Sequence, residues 1–135
     1  MAVDGWLVDR SAVARSHLDG VRAELRALRG TLFVCPLGEL EQLYSARSAR
    51  DYDGMASEIR TAFQRAEPPA DVFDRALVLQ RDLAHHHGMW HRTAIADMLI
   101  AETAMHNRLR VVHVDRDFDR IAEARPLVAR RLRVG

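Results

Sequence analysis

Carboxylates are the residues of this chain whose spacing suggests chemistry. Two short apolar runs end in aspartate, Gly5-Trp6-Leu7-Val8-Asp9 and Arg110-Val111-Val112-His113-Val114-Asp115. As buried strands of an open parallel sheet, both would aim their acids at the region beyond the strand carboxyl ends, where such sheets bind ligands. A lone strand-end aspartate more often caps the next helix, so further acids carry the weight. Asp97 lies within Ala94-Ile95-Ala96-Asp97-Met98-Leu99-Ile100-Ala101. A carboxylate in such apolar company is costly to desolvate unless it is paired or bound to a cation. Ile95, Met98 and Leu99 are expected to leave little of that turn to solvent. Glu39 and Glu41 share one helix but stand about 200° apart, so only one of them can look into a given pocket. Leu40, Leu43 and Tyr44 are expected to mark the buried face, which favours Glu41 and leaves Glu39 on the wetter side. Asp117 falls close to Asp115, with Asp119 at the solvated start of a helix.

Such a group, without thiolates or a firm histidine set, suits a hard divalent cation, Mg²⁺ or Mn²⁺. These ions relieve the repulsion among converging acids, activate water and neutralise the in-line transition state of a phosphodiester. The alternation Asp115-Arg116-Asp117-Phe118-Asp119 is not a calcium loop, because the sixth and twelfth positions, Gly and Glu in an EF-hand, are Arg120 and Pro126. Among His85, His86, His87 and His91 only the last two have chelating spacing. Gly88 stands where a metalloprotease helix needs glutamate, so these read as helix-end surface histidines. Every basic residue is arginine, which excludes Schiff-base and P-loop chemistry and a receiver-like phosphoacceptor site, each of which needs a lysine.

The elements that must position these acids follow from the pattern of the chain. Its 135 residues fit one domain, 1–135. A hydrophobic share of 48% and a charged share of 29% are those of a globular protein. A net charge of +1 is too balanced for a sequence-blind binder of long duplexes. The single cysteine, Cys35, allows no intrachain disulfide. No apolar run approaches the ~18 residues of a membrane span, and no export signal is visible, so the expected location is the cytoplasm. Strands are expected at 5–9, 31–35 and 110–115, with a weak last one near 131–134. Helices are expected at 18–29, 36–47, 51–65, 70–87 and 93–107, with a short one from about residue 118. Gly30 and the Glu67-Pro68-Pro69 break act as stops, and Pro36 as a first helical residue. Strands alternating with helices indicate an α/β fold with a mainly parallel sheet. Arg22, Arg26 and Arg29 line one helix face, and Arg130, Arg131 and Arg133 crowd the C-terminus; each reads first as a solvated charge, with RNA phosphate as the functional alternative. Trp6 and Trp90 read as core or interface residues.

Taken in order, Leu7-Val8-Asp9-Arg10-Ser11-Ala12, Leu40-Glu41-Gln42-Leu43-Tyr44-Ser45-Ala46-Arg47, His91-Arg92 leading into Ala96-Asp97-Met98-Leu99-Ile100-Ala101-Glu102-Thr103-Ala104, and Val114-Asp115-Arg116-Asp117-Phe118-Asp119 resemble the PIN-domain ribonucleases, in particular VapC toxins. The resemblance covers nearly the whole chain. It implies a three-layer α/β/α sandwich. It also implies a catalytic set of Asp9, Glu41, Asp97, Asp115 and Asp117, with Asp9, Asp97 and Asp115 as metal ligands and Ser11 as a supporting hydroxyl. His113 departs from the pattern, since many relatives have threonine there. The implied activity is Mg²⁺- or Mn²⁺-dependent cleavage of RNA, tRNA or rRNA, that arrests translation. The implied partners are a cognate VapB-type antitoxin and a second copy in a homodimer. The alternative is a module that keeps the fold but binds RNA or protein without catalysis.

Overall fold

The computed structural model describes residues 5–9, 12, 19–28, 30–114 and 116–132. Ser11, Arg29, Asp115 and Arg133 lie outside the described residues. Five strands form one sheet: β1 (Gly5–Val8), β2 (Thr31–Val34), β3 (Gln64–Arg65), β4 (Arg110–His113) and β5 (Ala129–Arg131). Their spatial order is β3-β2-β1-β4-β5, and every adjacent pair is parallel. Six α-helices accompany them among the described residues: α1 (Asp19–Ala27), α2 (Pro36–Tyr44), α3 (Ala49–Ala62), α4 (Val72–His86), α5 (Ile95–His106) and α6 (Asp117–Ala124). A single 3₁₀ turn, Trp90–Arg92, links α4 to α5.

The alternation of side chains along β1 builds the layers. Trp6 and Val8 face one way and pack with Val112, Leu132 and the α1 residues Val21 and Leu25. Leu7 faces the other way and joins Val111, Leu79 and Leu83 of α4, Met98, Ile100, Ala101 and Ala104 of α5, and Phe118 and Ile121 of α6. A parallel sheet covered on both faces reads as continuous apolar runs, and all four residues of β1 are buried. Gly5 is required where it stands: a Cβ there would lie 2.8 Å from Phe33 Cε1 and 3.0 Å from both Leu109 Cδ2 and the Thr31 carbonyl oxygen. The parallel α/β fold expected from the alternating elements, and the α/β/α sandwich that the resemblance implies, are therefore the observed ones.

Three expectations are corrected. The helix read at 51–65 occupies 49–62, because Ser48 Oγ accepts from the Asp51 amide at 3.0 Å and Asp51 Oδ2 accepts from the Arg47 amide at 2.9 Å, a reciprocal cap that starts it early. The chain then turns extended at Phe63 and supplies β3, an exposed edge strand of two polar residues with no apolar pattern to reveal it. The last strand lies at 129–131 rather than 131–134, paired to β4 from Val111↔Ala129 to His113↔Arg131.

Candidate active site

The strand order reverses at β1: the chain builds outward through β2 and β3, then returns to place β4 on the other side. Ligands of open parallel sheets bind at such a reversal, beyond the strand carboxyl ends. Asp9 follows β1 there, with only 3% of its surface exposed. Its amide donates to the Val112 carbonyl of β4 at 2.9 Å. The registers Leu7↔Phe33 and Val8↔Val112 carry Asp9 level with the residues that leave β2 and β4, Cys35 and His113. Electrostatics agree with that placement. The Cys35 thiol is pushed up to about 11, mainly by burial, and the negative charge of Asp9 raises it further against the lowering effect of the Gly38 and Leu37 amides. Asp9 therefore acts across to the N-terminus of α2, the helix that carries Glu41.

Asp97 stands in the first turn of α5, 7% exposed. A carboxylate is favoured near the positive end of a helix dipole, and its amide donates to the Ala94 carbonyl at 3.0 Å. The Ala94 amide in turn donates to Asp117 Oδ2 at 3.1 Å. Because Asp117 is the first residue of α6, this bond joins the N-termini of α5 and α6, the helices that carry Asp97 and Asp117. On the outer side of Asp117, Arg120 Nη1 lies 3.9 Å from Oδ1. The Arg120 guanidinium also sits over the Trp90 ring, 5.3 Å from its centre. Sequence reasoning singles out neither Arg120 nor Trp90 for this place. The spacing of Arg120 three residues after Asp117 is a readable signal; the approach of Trp90 is tertiary.

The face of α2 differs from expectation. Leu40 and Tyr44 are 65% and 92% exposed, so they do not mark a buried face. The inward side carries Leu37, packed against the core, and buried Gly38. Glu41 follows these by one turn and is half-buried. Glu39 is not on a wetter side either. Arg65 grips it with both prongs, Nε to Oε1 at 3.1 Å and Nη2 to Oε2 at 3.0 Å. Ile95 is likewise exposed, so Asp97 is enclosed without it. Asp119 is half-exposed near the start of α6, as expected, and Oδ1 lies 3.4 Å from Nε2 of the fully buried His113. His85 and His86 are exposed at the end of α4. Trp6 is a core residue, with the Arg110 guanidinium 4.0 Å from its ring centre.

The donor chemistry fits a hard cation. Asp9 is a buried carboxylate just beyond β1, Asp97 is a buried carboxylate in the first turn of α5, and Glu41 and Asp117 are further oxygen donors by type, carried on α2 and α6. Among the described residues no three His, Cys, Asp or Glu side chains are grouped as a ready cage; the expected ligand triplet includes Asp115, outside those residues. Ser11, the expected supporting hydroxyl, lies outside them too.

Comparison with known proteins agrees with this architecture. The family model for the PIN domain matches residues 7–124. Ribonuclease VapC17 of Mycobacterium tuberculosis is 51% identical over 121 residues, 90% of each chain. Ribonuclease VapC21 of the same organism is 38% identical over 119 residues, 87% of this chain and 86% of the relative. In structure, VapBC2 from Rickettsia felis bound to a promoter DNA fragment superposes with a TM-score of 0.77 at 15% identity, covering 96% of this chain and 99% of that one. A DNA-bound VapBC from Salmonella typhimurium gives 0.75 at 16% identity, covering 97% and 98%.

Proposed function

Because this chain belongs to the PIN-domain family, we propose that it is the endoribonuclease toxin of a VapBC-type toxin–antitoxin pair, hydrolysing RNA phosphodiesters at a divalent-cation site beyond β1, α5 and α6. What supports this reading is the burial of Asp9 just beyond β1 and of Asp97 in the first turn of α5, with Asp117 accepting from the amide that opens α5. Asp9, Asp97 and Asp115 would hold Mg²⁺, for which Mn²⁺ could substitute. The bound ion would supply an activated water and neutralise charge on the reacting phosphate. Glu41 on α2 and Asp117 on α6 would act as the carboxylates that orient a water and accept its proton. Ser11 would support the first acid through its hydroxyl.

The names of the relatives, ribonucleases of the VapC group, support RNA as substrate. tRNA or rRNA is the class proposed, with arrested translation as the result and the cytoplasm as the place of action. No described helix is long and apolar enough to cross a membrane. The solved neighbours that are VapBC assemblies support a VapB-type antitoxin as partner. Exposed Leu40 and Phe73 line an apolar hollow of about 210 Å³ between α2, α4 and α5, exposed Leu77 follows Phe73 by one turn of α4, and this face is the one proposed for homodimer contact.

The test is cleavage of total RNA by the purified chain. EDTA should stop it and Mn²⁺ or Mg²⁺ should restore it, and Asp97→Asn should reduce it at least about 100-fold with an unchanged circular dichroism spectrum. Cleavage that persists in EDTA, or in the folded variant, overturns the reading.

A further inference from the structure

A polyanion must approach this site against the field of its own acids. Like charges repel through several ångströms where water is partly excluded, so an RNA strand needs cations on the rim as well as in the centre. Three arginines lie near Asp117 in the chain or in space. Arg116 precedes it directly and is exposed. Arg92 closes the 3₁₀ turn, two residues before the Ala94 amide that donates to Asp117, and is also exposed. Arg120 stands one helical turn later, 3.9 Å from Asp117 Oδ1.

Arg120 is the best placed of the three. Its guanidinium lies over Trp90, 5.3 Å from the ring centre, within the range of a cation–π contact. That stacking holds a long side chain in one orientation, which lowers the ordering cost of binding. Its side chain is 40% exposed and its carboxylate neighbour is at a loose distance, so the pair with Asp117 leaves donors available. The planar fork of an arginine matches a phosphate with two parallel hydrogen bonds. The turn that carries Trp90 is set by two successive positive-φ residues, Gly88 at 63° and Met89 at 66°. A non-glycine residue in that region is held there only by surrounding structure.

We propose that Arg120, braced on Trp90, together with Arg92 and Arg116, forms the rim that grips the phosphates of single-stranded RNA flanking the scissile bond. The proposal rests on the ribonuclease reading and adds the residues that seat the strand. Arg120 binds one flanking phosphate as a two-pronged donor, while Arg92 and Arg116 contribute charge on either side.

The experiment uses a fluorescent, random-sequence single-stranded RNA oligonucleotide and the full chain in the Asp97→Asn background, so that binding is read without turnover. Each phosphate that an arginine no longer neutralises should flatten the plot of log K against log salt by about 0.7. Arg120→Ala should flatten it by about 0.7, and the pair Arg92→Ala/Arg116→Ala by about 1.4. Arg120→Lys should keep the slope but bind several-fold more weakly, since lysine lacks the planar fork. Arg81→Ala, an exposed cation on α4, serves as a control and should leave the slope unchanged. In the otherwise wild-type chain the rim variants should raise KM several-fold with kcat within about twofold, as expected when ground state and transition state are weakened equally. Wild-type slopes in the rim variants, an equal change in Arg81→Ala, or no binding by the parent protein would overturn the proposal. If Asp97→Asn cleaves normally, it is the ribonuclease site assignment that fails, and the slopes still judge the rim.

Discussion

The amide of Ala94 donates to Oδ2 of Asp117 at 3.1 Å, across 23 residues of sequence, and so ties the start of α6 to the start of α5. One carboxylate thus has two tasks. One oxygen closes an orphan amide at a helix N-terminus, and the charge of the group belongs to the proposed cation site. The two can be separated. Asp117→Asn retains an oxygen that accepts from Ala94, so unfolding in urea should shift by less than about 0.5 kcal/mol while cleavage falls at least about 100-fold. Asp117→Ala loses both and should cost a further ~1 kcal/mol of stability. Equal stability losses in the two variants would refute the division of labour.

The two glutamates of α2 should behave oppositely. Glu39 is engaged by Arg65, and this bidentate pair holds the helix to the edge strand β3. With more than half of the Arg65 side chain exposed, such a pair contributes modestly. Glu39→Gln should therefore lower stability by at most ~1 kcal/mol and leave cleavage within about twofold. Glu41→Gln should lower stability by at most ~1 kcal/mol and reduce cleavage about 100-fold. Parallel cleavage assays and denaturation curves distinguish them, and a larger cleavage defect in Glu39→Gln would exchange their roles.

These two residues also show what could be read from the chain. The layered α/β architecture was legible because apolar runs and amphipathic helices differ in period, and because a parallel sheet forces long connections. Asp97 was legible as a buried acid from its apolar neighbours, although exposed Ile95 contributes nothing to its burial. Periodicity misjudged α2, since Leu40 and Tyr44 point outward and the inward side is made by Leu37 and Gly38. A short helix presenting apolar residues to a surface cannot be phased by hydrophobicity alone. The partnership of Trp90 with Arg120 was not legible, because it depends on how α4 and α6 converge on the connecting turn.

Glu102 lies on α5, buried beneath α4 and α6, with Oε2 fully enclosed and without a hydrogen-bond partner. Burial holds its carboxyl above the ordinary range, partly offset by the positive charges of Arg125 and Arg75. A raised folded-state value means that the folded protein binds this proton more tightly than the unfolded chain. The contribution to stability is thus complete below the usual carboxyl range, about pH 4, and is lost as pH rises toward the folded value. Glu102→Gln resembles the protonated form. It should be more stable than the parent at pH 7 by on the order of 1 kcal/mol, and the gap should close as pH falls toward 4. Urea denaturation at a series of pH values measures this, and a gap that widens on acidification would contradict the burial argument.

The apolar face of α2 and α4 makes the remaining prediction. Phe73 and Leu77 are one helical turn apart on α4 and exposed, and the hollow beside them is lined by Leu37, Leu40, Val72 and Leu99. Fully burying one such side chain contributes about 1.5–3 kcal/mol, and two chains that cover these positions reciprocally under a twofold axis bury each of them twice. A charge placed at the centre must then be desolvated twice. Light scattering on the purified chain should give a mass near twice 15.3 kDa. Phe73→Asp combined with Leu77→Asp should give the monomer mass with an unchanged circular dichroism spectrum, because neither side chain belongs to the core. A parent protein that is monomeric at tens of micromolar, or a double variant that remains dimeric, would remove this face from the assembly.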